Sequence, residues 1–230
     1  MSEVEQIEEN LRKLKKLGVS ETEIIKRYES KILSLKNGEL SYVFIKNIKG
    51  ADVKAHGNAI IESKNARWNY KFAKDIKGAD IKAHGKAVIE SKEPEWNYKF
   101  AKDIKGADVK AHGKAIIESK NLEWNYNFAK DVKGADIKAH EKVVIESKEP
   151  EWNYYFARDV KGADVMAHGR VIIESKDSRV NDWFKEDFED EYKILKENNH
   201  IDEVYNFIDD TLDEMIKENN EENKSMQKRF

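Results

Sequence analysis

The 230-residue chain contains no cysteine. That excludes disulfides, thiolate metal sites and cysteine nucleophiles. Only two prolines occur, Pro94 and Pro150, so little interrupts helical segments. No apolar run approaches the roughly 18 residues that span a bilayer. The start, Met1-Ser2-Glu3-Val4-Glu5, is acidic and lacks the basic and apolar stretches of a secretory leader. The expectation is a cytoplasmic protein with no membrane partner. Also missing are a phosphate-cradling glycine loop, a His-Glu-x-x-His pair and a nucleophile elbow. No cofactor and no small-molecule substrate are therefore expected.

What the chain has in quantity is charge. Charged residues make up 38%, against about 25% in an ordinary globular domain. Five Trp, nine Tyr and nine Phe exclude a disordered composition. The charge is unevenly placed. Residues 50–161 carry 22 basic and 18 acidic side chains, whereas residues 177–230 carry 8 basic and 17 acidic. A mildly basic body is joined to an acidic end.

The tripeptide Gly-Ala-Asp recurs at Gly50, Gly78, Gly106, Gly134 and Gly162, always 28 residues apart. Trp68, Trp96, Trp124 and Trp152 keep that interval, as do His56, His84, His112, His140 and His168. A fixed period in this range marks a solenoid, propeller or array. Alternate copies agree best: those at Gly50 and Gly106 lead into Lys-Asn, those at Gly78 and Gly134 into Lys-Glu-Pro-Glu. A block of about 56 residues was duplicated. In copies this young, identity is weak evidence that a shared residue has a task.

Within one unit, Pro94 suits the first position of a helix. Trp96, Phe100, Ala101 and Ile104 then share one helical stripe, opposite Lys99, Lys102 and Asp103. Gly106 suits the left-handed C′ residue that ends a helix. Asp108 suits an N-cap, and a second helix runs from Val109 to about Ser119 with Val109, Ala115, Ile116 and Ile117 on its apolar arc. Apolar spacing of 3–4 rather than 2 argues against strands. The Thr-Pro-Leu-His start and longer period of ankyrin repeats are missing. Each helix is about three turns, too short to be stable alone in water. Neighbouring hairpins must cover one another's apolar faces. The expected fold class is therefore all-α, a right-handed α-solenoid of about five 28-residue helical hairpins over residues 40–176, with helical N- and C-terminal caps.

In the N-terminal cap, residues 1–39, Val4, Ile7, Leu11 and Leu14 share a helix face closed by Gly18, and Ser20 with Glu23 reads as a capping box opening a second helix. Residues 177–218 read as an acidic helical cap. Val180, Phe184 and Phe188 keep the stripe, Asp190 replaces the stop glycine, and the helix is expected to run on through Tyr192 and Leu195. A last helix carries Val204, Ile208, Leu212 and Ile216, and residues 219–230 are expected to be a flexible tail.

Residues 40–176 resemble the short tandem helical-hairpin repeats of uncharacterised proteins from low-GC Gram-positive bacteria and their phages. The carriers are the runs Trp96 to Asp103 (Trp-Asn-Tyr-x-Phe-Ala-Lys-Asp) and Gly106 to Gly113 (Gly-Ala-Asp-x-Lys-Ala-His-Gly). The resemblance implies an architecture and a phage context. It transfers no activity.

Several repeated side chains are candidates for binding. Lys74, Lys102, Lys130 and Arg158 form one basic series, and Lys54, Lys82, Lys110 and Lys138 another. Stacked hairpins would align each into a row able to follow a phosphate backbone, or simply into a solvated face. Tyr70, Tyr98, Tyr126 and Tyr154 offer stacking faces for RNA bases. Asn69, Asn97, Asn125 and Asn153 lie on the core side of the first helix, with Ser41 in their place in the first copy. They form either a buried ladder bonded to backbone or a grip on an extended peptide. The Trp series reads as core. So does the His series, because packed helices about 8–10 Å apart cannot bring ladder histidines to a shared metal with bonds of about 2 Å. No metal site is expected. Gly57, Gly85, Gly113 and Gly169 sit inside a helix, at a cost of about 1 kcal/mol each, which a close helix contact would justify; Glu141 breaks the series. In the acidic end, Glu186, Asp187, Glu189, Asp190 and Glu191 lie beside Trp183, Phe184 and Phe188 and could meet a basic partner or merely polarise a cap.

An active site needs one asymmetric constellation, and this chain repeats the same groups. The expected function is therefore non-catalytic: a scaffold for a protein partner. The phage resemblance implies an inhibitor of a host defence complex, an anti-CRISPR-like role. The alternative is RNA binding along the lysine and tyrosine ladders.

Overall fold

The structure, a computed structural model, describes the backbone of residues 1–227, and their side chains except at 200, 202, 203 and 218–227. Among the described residues there are fourteen α-helices and no strand: α1 (Glu3–Lys16), α2 (Glu21–Ser34), α3 (Gly38–Asn47), α4 (Val53–Glu62), α5 (Ala66–Asp75), α6 (Ile81–Glu90), α7 (Pro94–Asp103), α8 (Val109–Ser119), α9 (Leu122–Asp131), α10 (Ile137–Ser147), α11 (Pro150–Asp159), α12 (Val165–Ser175), α13 (Ser178–Asp187) and α14 (Glu189–Gln227). The chain divides into two compact units, Met1–Val144 and Ile145–Phe230. Among the described residues, no helix is long and apolar enough to cross a membrane.

In the first unit the odd-numbered helix of each hairpin packs on its even-numbered partner and on the odd helix of the next hairpin: α3 on α4 and α5, α5 on α6 and α7, α7 on α8 and α9. In the second, α11 packs on α12 and α13, and α14 on both α12 and α13. This is the hairpin stacking that the 28-residue period implies. Phe44, Phe72, Phe100, Phe128, Phe156 and Phe184, one per copy, are fully buried. Replacing any one by Ala forfeits about 3–5 kcal/mol.

The helix starts alternate as the duplicated block does. Asn37, Asn65 and Asn121 cap α3, α5 and α9 through their side chains. At α7 and α11 the caps are Glu93 and Glu149, without a side-chain bond, and Pro94 and Pro150 take the first turn, where a missing N–H costs nothing. Asp52, Asp80, Asp108, Asp136 and Asp164 cap the even helices.

Four local readings change. Gly106 does have a left-handed φ of 88°, but α7 has already ended at Asp103. The glycine sits third in a four-residue turn closed by Ala107 N–H on Ile104 C=O at 3.1 Å, where a positive φ is needed. The capping box belongs to α1, between Ser2 and Glu5; at α2, Ser20 Oγ accepts from Glu23 N–H at 3.2 Å. Further on, the helix through Val180 does not continue past Asp190. It stops at Phe188 (φ −137°), and one uninterrupted α14 takes in both the expected last helix and residues 219–227. The last three residues of the expected tail, 228–230, lie outside the described residues.

The true left-handed helix ends are lysines. Lys36, Lys64, Lys92, Lys120, Lys148 and Lys176 have φ between 49° and 59°. Such a φ costs an L-residue roughly 1–2 kcal/mol. Lys120→Gly should therefore stabilise the protein by about 0.5–1 kcal/mol, since glycine returns part of the gain as unfolded-state entropy. Chemical denaturation should show a higher midpoint at unchanged m-value; an unchanged or lower midpoint would contradict the strain.

Candidate interaction surfaces

The asparagines are spent on the interior. Asn69, Asn97, Asn125 and Asn153 are all 0% exposed. Asn97 Nδ2 donates to Glu93 C=O at 2.9 Å and to Val88 C=O of α6 at 3.3 Å. That leaves its Oδ1 as acceptor, facing His112 Nδ1 of α8 at 2.8 Å, so the neutral imidazole carries its proton on Nδ1. Asn69 with His84 and Asn125 with His140 repeat the arrangement, both at 2.8 Å; Asn153 and His168 stand 2.7 Å apart in the second unit. The other ring nitrogen points at the helical glycine one repeat back. A Cβ on Gly57 would stand 3.3 Å from His84 Nε2, and one on Gly85 3.4 Å from His112 Nε2. The mid-helix glycines thus permit a close helix approach. Glu141, in place of glycine, is 3% exposed, with Lys138 Nζ 3.3 Å from its carboxylate. No three His, Asp or Glu side chains cluster as a metal would require among the described residues.

In the first basic series Lys74 and Lys102 are engaged between repeats. Lys74 Nζ lies 2.7 Å from Tyr70 Oη and 2.7 Å from Asp103 Oδ2 of the next hairpin, and Tyr70 Oη donates to the same carboxylate. Lys102, Tyr98 and Asp131 repeat this with bonds of 2.5–2.7 Å. Lys130 reaches Tyr126 Oη at 2.8 Å. Arg158 lies over the Tyr154 ring and pairs with Asp159 at 2.7 Å, while Tyr154 donates to Asp187 at 2.6 Å. Bonds from Lys102 and Tyr98 hold the Asp131 carboxyl below its usual range. Burial and the Asp103 carboxylate raise the Tyr70 phenol. The tyrosine rings are covered as well: Trp96 lies 5.6 Å from Tyr70 and Trp124 5.4 Å from Tyr98, centre to centre. Base stacking needs a free ring face, and these faces meet Trp and Lys instead.

The second basic series is differently placed. Lys54, Lys82, Lys110 and Lys138 stand exposed in the first turns of α4, α6, α8 and α10. Lys77, Lys105 and Lys133, which sequence reasoning did not single out, are exposed just before the turn glycines. The nearby acids are occupied as caps; Asp80 accepts from Ala83 N–H and Asp108 from Ala111 N–H, both at 3.0 Å.

At the acidic end, Asp187 is bonded to Tyr154 and Glu189 to Lys193 at 2.6 Å. Glu186 and Asp190 are exposed, and Glu191 is half-buried. The surface that the sequence did not reveal lies beyond them. Leu195 of α14 is buried, but the stripe expected to face a core is open: Val204 is 47% exposed, Ile208 46%, Leu212 50% and Ile216 57%. Tyr205, Phe207 and Met215 are more exposed still. Single exposed apolar residues are ordinary; a contiguous stripe marks an interaction site.

No family model, curated protein or solved structure matches this chain. Its surfaces carry the functional reading.

The buried histidines make stability depend on pH. Burial pushes His84, His112 and His140 down to about 4, against a weaker upward pull from Asp80, Asp108 and Asp136. The unfolded chain, with histidines near 6.5, binds more protons than the folded one between the two values. Stability is therefore full above about pH 6.5 and falls as pH drops toward 4, by up to about 1.4 kcal/mol per pH unit for each of these histidines. Urea unfolding at pH 7.5, 6, 5 and 4.5 should show the loss; a flat profile would contradict a neutral buried ladder.

Proposed function

We propose that the chain is a non-catalytic helical-repeat scaffold that docks a protein partner through α14. The observation that carries this reading is the open stripe Val204, Ile208, Leu212 and Ile216, interleaved with Asp209, Asp210, Asp213 and Glu214. Apolar anchors at i, i+4, i+8 and i+12 are how an amphipathic helix enters a groove on another protein. Carboxylates between them call for a basic rim around that groove. The resemblance of the repeats to those of phages of low-GC Gram-positive bacteria supports a host setting, in which the scaffold inhibits a defence complex in an anti-CRISPR-like manner. In a pull-down from lysate of such a bacterium, Ile208→Asp combined with Leu212→Asp should lower recovery of the captured protein about tenfold or more, as loss of a central anchor does, while helix content is retained. Equal recovery by wild type and variant would remove α14 from the interface.

A second reading, RNA binding, is favoured by the exposed lysines at the starts of α4, α6 and α8 and the turns before them. Affinity for single-stranded RNA should then fall steeply with salt, and Lys82→Glu with Lys110→Glu should flatten that dependence by about two phosphate contacts. Absence of binding at low salt would end this reading.

A further inference from the structure

We propose that α14 of one molecule docks in the groove between α1 and α2 of a second copy, joining molecules head to tail. This rests on the reading of α14 as a docking helix and names its occupant.

The groove is open and apolar. Ile7, Leu11 and Leu14 of α1 with Tyr28, Ile32 and Leu35 from α2 and its end line a cavity of about 270 Å³. Leu11 and Ile32 form its buried floor. Leu35, at 63% exposure, stands at its rim, and Leu17, just past the end of α1, is 80% exposed. These are side chains left without a cover. Lys31 is the one charged residue in the lining; residues 3–36 carry eight basic side chains against seven acidic, four of the acidic ones before residue 10.

The helix has the opposite character. From Val204 to Ile216 it is exposed throughout, with four carboxylates and no basic residue. Two such helices packed on each other would bring like charges within about 8–10 Å, which opposes pairing of α14 with itself. Apolar stripe to apolar groove, with carboxylates toward Lys31, satisfies both charge and burial. Because the surface offered differs from the surface received, each added molecule leaves one helix and one groove unused. Association then passes beyond the dimer unless a ring closes. The stripe is about 20 Å long, so the contact belongs among small, weak interfaces.

Sedimentation of the full chain tests this. Between micromolar and several hundred micromolar protein, the weight-average mass should rise about 1.5-fold or more, and less at high salt. A helix variant (Ile208→Asp, Leu212→Asp) and a groove variant (Lys31→Glu, Leu35→Asp) change only exposed positions and should each stay monomeric. Mixed in equal amounts, they should form a heterodimer and nothing larger, because only one intact helix and one intact groove are present. A wild type that stays monomeric, a groove variant that associates like wild type, or a mixture that does not recover association would each overturn the proposal. A monomeric wild type that still captures a lysate protein through α14 would leave the docking reading standing; a monomer that captures nothing would remove both.

Discussion

A buried asparagine side chain holds the hairpins in register. In each complete instance it donates to two carbonyls, one of them on the preceding helix, and accepts from a histidine on the following one, so one amide binds three helices. A buried polar group left unsatisfied costs about 1–3 kcal/mol, so any slip between hairpins breaks several bonds at once. Apolar burial supplies most of the driving force for folding but tolerates small shifts; the amide does not. The series ends where its partners run out. Ser41 stands in the asparagine position before His56, and both Ser41 Oγ and His56 Nδ1 lack a hydrogen-bond partner. At the other end Asn181 donates to Asp177 and Ile172 carbonyls, while its Oδ1 has none.

That register determines which surfaces remain for binding. Stacking places Tyr70 with Lys74, and Tyr98 with Lys102, against an aspartate one hairpin on, so cations that look free in the sequence are neutralised where these repeats meet. Half-exposed pairs of this kind contribute under about 1 kcal/mol each, but they remove the side chains from other use. Among the cations that take no part in these contacts are Lys82 and Lys110, exposed at the starts of α6 and α8. Apolar surface is left open between α1 and α2 and along α14.

The helices and their pairing were legible in the sequence because spacing, capping aspartates and the fixed period all agree. The burial of His112 was legible too, since it falls on an apolar arc; for Asn97 the same placement left a buried ladder and a grip on an extended peptide both open, and the structure buries it. Two things were not. Lys120 and its equivalents carry none of the usual marks of a left-handed cap, whereas Gly106 and its equivalents carry them but belong to the turns that follow the odd-numbered helices. Nor did the pattern Val204, Ile208, Leu212, Ile216 say whether anything covers it. Amphipathic periodicity identifies a face; only tertiary packing decides whether the chain itself buries it.

The hydrogen bonds of the ladder reach 4, 9 and 15 residues along the chain, and the ties between neighbouring hairpins reach 29 and 33. None reaches past the adjoining copy. An in-frame recombination that adds or deletes one whole copy would therefore rejoin equivalent partners and leave every such bond with its mate. Copy number, rather than chemistry, is what this design lets evolution adjust: hairpins can be gained or lost in whole units without any new interaction having to be invented.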